Sequence, residues 1–107
     1  MFGSEIAIGP GKADLLDAIA ATGSISESAR RMGMSYRRAW LLVDTMNRCF
    51  REAVVASATG GSGGGGARVT PFGRRVLARF RAMESRVDRA LSADLGRFSE
   101  LLADRPK

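Results

Sequence analysis

The stretch that decides the fold is residues 23–50, which read GSISESARRMGMSYRRAWLLVDTMNRCF. A short segment of helical spacing ends at Gly33, and a longer one follows Ser35, with serines available to cap both helices. Ala29 is small enough for two helices to cross closely, and Gly33 suits a turn with positive φ. The pattern predicts a helix-turn-helix, with an ordinary helical hairpin as the alternative.

The flanking segments extend this prediction on both sides. Residues 12–22 have the spacing of a first helix, and Gly9-Pro10-Gly11 is expected to interrupt any regular element before it. Residues 2–8 fit a short strand or extended arm. The longer helix of the pair carries a stripe that is expected to face the core: Tyr36, Ala39, Trp40, Val43, Met46, Asn47 and Phe50. Cys49 falls close to this stripe, where a cysteine is usually a small buried hydrophobe.

A β-hairpin is expected after the second helix of the pair. Residues 54–59 and 67–70 read as two short strands around the glycine-rich stretch GGSGGGG at 60–66. A Gly/Ser tract is also typical of a flexible linker. A hairpin in this position is the wing of a winged helix, and the position favours the wing.

The C-terminal third predicts one long helix. Thr70 can cap it, and Pro71 suits its first turn. Apolar residues then recur at steps of three and four for about thirty residues: Phe72, Val76, Phe80, Met83, Val87, Leu91, Leu95, Phe98 and Leu102. Only Gly96 offers a break. A small domain cannot cover so long a stripe, so a second copy of the chain is the expected cover. A bent pair of helices that folds back on the core is the alternative.

Together these elements predict a fold that is mainly α with a small β-hairpin. The prediction is a winged helix-turn-helix in residues 1–70, with its wing at about 54–70, and a long helical dimerisation segment in residues 71–107.

Composition and charge narrow the function. The 107 residues include 17 Lys and Arg against 11 Asp and Glu, one cysteine and no histidine. Between Arg30 and Arg81 there are eleven arginines and two acidic residues, which points to a polyanionic partner, although a solvated basic surface is the alternative. Without histidine, the usual general base and the commonest metal ligand are missing, so we expect no catalytic site, no metal and no cofactor. The absence of a signal sequence or a long apolar run predicts a cytoplasmic protein with no membrane partner.

Several short stretches resemble a known family. These are GSIS at 23–26, GMSYRRAW at 33–40, MN at 46–47 and ATGGSGGGGARVT at 58–70. They are similar to the N-terminal DNA-binding domain of the ModE family of molybdate-responsive bacterial transcriptional regulators. The resemblance covers about residues 10–85 and implies a LysR-like winged helix. The family usually has a lysine where Ser62 stands. The chain ends where the family's oxyanion-binding domains would begin, so no molybdate site is expected.

The function expected from the sequence is that of a regulator that binds double-stranded DNA at a palindromic promoter site. The regulator is expected to be a homodimer held together by its C-terminal helices. The residues expected to contact DNA fall into three groups: Ser35, Tyr36, Arg37 and Arg38 at the start of the second helix, Ser24, Ser26, Arg30 and Arg31 on phosphates, and Gly63, Gly64 and Arg68 in the wing. Tyr36 and Trp40 are nevertheless expected to anchor their helix in the core. Two alternatives stay open: an interaction protein that heterodimerises with and modulates a longer regulator, and a one-domain redox or metal sensor built on Cys49 near Met46.

Overall fold

The computed structural model describes residues 8–58 and 66–105 of the chain. Within these ranges the elements are α1 (Pro10–Thr22), α2 (Ile25–Arg31), α3 (Tyr36–Cys49), β1 (Val55–Ala58), β2 (Gly66–Val69) and α4 (Pro71–Ser99). The two strands pair antiparallel, with Val55 opposite Val69 and Ala58 opposite Gly66. The described chain is therefore mostly helical with one two-stranded hairpin.

Helix α1 supplies the centre of the core. It buries one face completely, through Ala13, Leu15, Leu16 and Ile19. The helix begins at Pro10, directly after Gly9 in an extended conformation, so it starts two residues before the predicted start at residue 12. Proline fits at the first helical position because the N–H that it lacks would have no partner there.

Helices α2 and α3 are joined by a tight turn that the sequence anticipated. The Ser24 hydroxyl accepts a hydrogen bond from the N–H of Glu27 and caps α2, and Ser35 caps α3 in the same way. Gly33 has a φ of 68°, the left-handed conformation expected of the turn glycine. Ala29 is buried where the helices meet.

The buried stripe of α3 is narrower than the stripe predicted from the sequence. Ala39, Val43 and Met46 are buried, whereas Tyr36 is 56% exposed and Trp40 is 47% exposed. The prediction that these two aromatic residues anchor the helix in the core is therefore wrong. Trp40 lies one residue, or about 100°, around the helix from Ala39 and so falls outside the stripe. Tyr36 is the first residue of α3.

Cys49 also differs from the prediction. It lies in the last turn of α3 and is exposed. The prediction that it is a small buried hydrophobe is therefore wrong.

The hairpin is fixed to the helices by hydrogen bonds. The Asn47 side-chain oxygen Oδ1 accepts from the N–H of Val54 at 2.8 Å and from that of Val55 at 3.1 Å. The Asn47 amide nitrogen donates to the Val55 carbonyl at 3.0 Å. On the other strand, the N–H of Ala67 donates to the carbonyl of Gly23 at 3.0 Å. The hairpin thus bridges the end of α3 and the turn between α1 and α2.

Helix α4 is continuous over 29 residues, so the alternative of a bent pair of helices is wrong. Thr70 caps it by accepting a hydrogen bond from the N–H of Gly73 at 2.9 Å, and Pro71 takes its first position. Gly96 continues the helix without a break. Within the part of the chain that the structure describes, no helix is both long and apolar enough to cross a membrane.

Candidate anion-binding surface

The predicted phosphate-binding residues of α2 surround one carboxylate. The hydroxyl of Ser24 already accepts from the N–H of Glu27 and lies 3.2 Å from that of Ser26. Arg30 and Arg31 both form ion pairs with Glu27, the second at 3.6 Å. The structure therefore brings these residues together, but Glu27 offsets part of their positive charge.

The predicted residues of α3 are more open to an anion. Arg37 and Arg38 are exposed, and no ion pair involves either of them within residues 8–58 and 66–105. The hydroxyl of Ser35 is occupied, because it accepts from the N–H of Arg38 at 3.1 Å. Both guanidinium groups therefore have hydrogen-bond donors available for an oxyanion.

The predicted wing residues are placed in part. Arg68 is exposed on β2, opposite Ala56. Because its neighbour Ala67 bonds to Gly23, Arg68 lies beside the turn that leads to Ser24. Gly63 and Gly64 lie outside the described residues.

One basic cluster was missed by sequence reasoning. The guanidinium carbon of Arg51 lies 5.6 Å from the ring centroid of Phe72, in the first turn of α4. Arg75 and Arg79 follow Phe72 by three and seven residues, so the helical repeat places both on the Phe72 side of α4. We call Arg51, Arg75 and Arg79 the α4 arginine face. The spacing on α4 was readable from the sequence, but the approach of Arg51 was not.

The α4 arginine face has few carboxylates to offset its charge. Arg75 and Arg79 form no ion pair within the described ranges, and the ion pair that Arg51 forms there is with its neighbour Glu52, at 3.9 Å. Like charges four residues apart destabilise a helix by about 0.2–0.5 kcal/mol. A bound anion would relieve this repulsion.

Arg81 shows the opposite situation on the same helix. It donates to Asp17 at 2.6 Å, to Asp14 at 2.8 Å and to Glu84 at 2.9 Å. These hydrogen bonds, that to Asp17 first, raise the pKa of Arg81 above its usual value. Three carboxylates more than neutralise this arginine, so its role is to tie α1 to α4.

Comparison with known proteins provides relatives for most of the chain, although no family model matches it. It is 44% identical over 86 residues to "Molybdenum-pterin-binding protein MopB" of Rhodobacter capsulatus, a match to 80% of this chain and 32% of that protein. It is 40% identical over 87 residues to "Molybdenum transport protein ModE" of Azotobacter vinelandii, a match to 81% and 32%. It is 44% identical over 68 residues to "DNA-binding transcriptional dual regulator ModE" of Escherichia coli K12, a match to 64% and 26%. The chain spans about a third or less of the length of these relatives.

The two broader matches correct several predictions made from the sequence. They cover about 80% of the chain, and their names refer to molybdenum-pterin binding and molybdenum transport, not to DNA. These names contradict the predicted N-terminal DNA-binding domain, the winged helix-turn-helix class and the DNA-binding regulator. They equally contradict the predicted absence of a molybdate site.

Proposed function

We propose that this chain binds molybdate and acts by binding, without a catalytic step, inside the cell. The observation that carries the proposal is the 44% identity, over 80% of the chain, to a protein named for molybdenum-pterin binding. The relative named for molybdenum transport supports the same ligand. The chain spans about a third of the length of each of these relatives. The proposal is therefore that residues of this chain bind the oxyanion, and it does not extend to the other activities of the longer proteins.

The α4 arginine face is the site that the geometry favours for the oxyanion. A tetrahedral dianion needs several donors on one side. Arg75 and Arg79 present guanidinium groups one turn apart, without carboxylate partners in the part of the chain that the structure describes. Arg51 reaches the same side through its contact with Phe72. Arg37 and Arg38 are equally uncompensated, but as consecutive residues they point about 100° apart around α3. They serve as the matched control.

The test is a calorimetric titration with sodium molybdate at fixed ionic strength. The double variant Arg75→Gln/Arg79→Gln should bind about fivefold more weakly, because exposed charge pairs of this kind are worth about 1 kcal/mol in all. The control variant Arg37→Gln/Arg38→Gln loses the same charge and should bind like the wild type. An equal loss in both variants would mean that net charge alone attracts the anion, which would contradict the assigned site.

A further inference from the structure

Helix α3 carries a patch of exposed apolar side chains outside its buried stripe. Tyr36, Trp40 and Leu41 are between 45% and 56% exposed. Among residues 8–58 and 66–70, no other large apolar side chain is exposed. Exposed apolar side chains that are scattered singly need no explanation, whereas a contiguous patch marks an interaction site. The concentration of these three on one side of a single helix therefore indicates a surface for a partner.

The helical repeat sets charged residues beside this patch. Positions three and four apart are neighbours on a helix surface, so the apolar residues form one strip with three charged ones. We call this set the α3 strip, and its members are Tyr36, Arg37, Trp40, Leu41, Asp44 and Arg48. The α3 strip is about 18 Å long, at 1.5 Å per residue. This length matches about three turns of a second helix laid along it.

The charges of the α3 strip define what would complement it. Asp44 and Arg48 neutralise each other across an ion pair of 3.1 Å. Arg37 forms no ion pair within residues 8–58 and 66–105. The strip therefore has one unmatched positive charge, in the first turn of α3 and beside its apolar side chains. A complementary partner brings apolar groups to the middle of the strip and a carboxylate to Arg37.

The residue types favour a protein over a nucleic acid. Trp, Tyr and Arg are the residues that most often dominate the binding energy of protein interfaces. A nucleic acid would set phosphates close to Asp44, whose side chain is 36% exposed, and like charges brought together at an interface oppose binding. Phosphates also provide no apolar cover for Leu41. An amphipathic helix provides both the apolar cover and the carboxylate.

We propose that the α3 strip binds an acidic amphipathic helix of another protein. The apolar side of that helix covers Trp40 and Leu41, and one of its carboxylates pairs with Arg37. Asp44 and Arg48 keep their own ion pair at the far end of the strip. The interaction is independent of the proposed molybdate site, because no residue of the α4 arginine face belongs to the α3 strip.

Selection of peptides on the full chain tests the chemistry of the partner. The probe is a phage-displayed library of random peptides of about 12 residues, or three helical turns, made without tryptophan. Excess soluble Arg37→Glu/Leu41→Ala chain is present during the selection and removes peptides that bind any other surface. The enriched peptides should combine several apolar residues with an excess of Asp and Glu. No enrichment, or enrichment without the acidic excess, would overturn the proposal.

Trp40 is the one tryptophan of the chain, so its fluorescence reports where an enriched peptide binds. The emission should shift to shorter wavelength as the peptide covers the ring, with a dissociation constant of about 1–100 μM. Arg37→Glu should weaken binding at least about tenfold. Arg89→Glu makes the same charge change at an exposed position of α4 and should bind like the wild type. Equal losses in the two variants would contradict the assigned surface. A duplex DNA that produced the same shift, with the same loss in Arg37→Glu, would assign the α3 strip to a nucleic acid and overturn the proposal.

Discussion

Replacement of Gly73 by alanine probes a tight contact between α4 and the residues around the hairpin. A Cβ atom at this position would lie 2.2 Å from the carbonyl oxygen of Val54 and 2.9 Å from the side chain of Val69. The oxygen cannot move freely, because it accepts a hydrogen bond from the N–H of Thr70 at 2.9 Å. We therefore expect the helix to be pushed away from the hairpin.

The expected cost is set by two opposing effects. Overpacking a tight contact destabilises a protein by about 1–3 kcal/mol, and more where the backbone must move. Alanine stabilises a helix interior by about 1 kcal/mol relative to glycine. The contact with a fixed backbone oxygen should dominate. We therefore expect Gly73→Ala to lower the free energy of unfolding by about 1–2 kcal/mol and the melting temperature by about 5–15 °C.

Thermal unfolding followed by circular dichroism measures this loss, and Gly96→Ala is the matched control on the same helix. A Cβ at Gly96 meets nothing within 4 Å, so this variant should gain up to about 1 kcal/mol from helix propensity alone. If Gly73→Ala melted at or above the wild-type temperature, the close packing of α4 on the hairpin would be refuted.

Two further predictions concern the contacts that hold the elements together. Asn47→Ala should lower the free energy of unfolding, measured with urea, by about 1–3 kcal/mol, because it leaves the N–H groups of Val54 and Val55 without their side-chain acceptor. Asn47→Asp keeps that acceptor and should cost less; equal losses would contradict the assigned role. Arg81→Gln should lower stability by at most about 1 kcal/mol per exposed pair with α1, and 0.5 M salt should reduce the difference from the wild type. A difference that grows with salt would contradict an electrostatic role for Arg81.

Local features of the fold could be predicted from the sequence, because they depend on residues close together in the chain. The caps at Ser35 and Thr70, the positive φ of Gly33 and the first-turn position of Pro71 are all confirmed. Each follows from the conformational preference or hydrogen-bonding reach of a single residue within one turn of helix.

Features that depend on tertiary contacts could not be predicted in this way. The helical repeat gives the direction of a stripe but not its width, and for this reason Trp40 was misplaced into the core. Asn47 and Gly73 look ordinary in the sequence, because Val54, which both contact, lies 7 residues from the first and 19 from the second. The same holds for the candidate site. Only the structure shows that Glu27 pairs with Arg30 and Arg31, while Arg75 and Arg79 have no carboxylate partner among residues 8–58 and 66–105.

The central claim, that this chain itself binds molybdate, is tested most directly by equilibrium dialysis of the wild-type protein against molybdate, with sulfate as competitor at constant ionic strength. The account predicts saturable binding of molybdate that an equal concentration of sulfate does not displace, since the larger oxyanion is less costly to strip of water. Equal displacement by sulfate would contradict it. The account would also be contradicted if this chain retained no molybdate and bound selected duplex DNA tightly at the same salt concentration. That outcome would assign the molybdenum binding of the relatives to the two thirds of their length that this chain does not match.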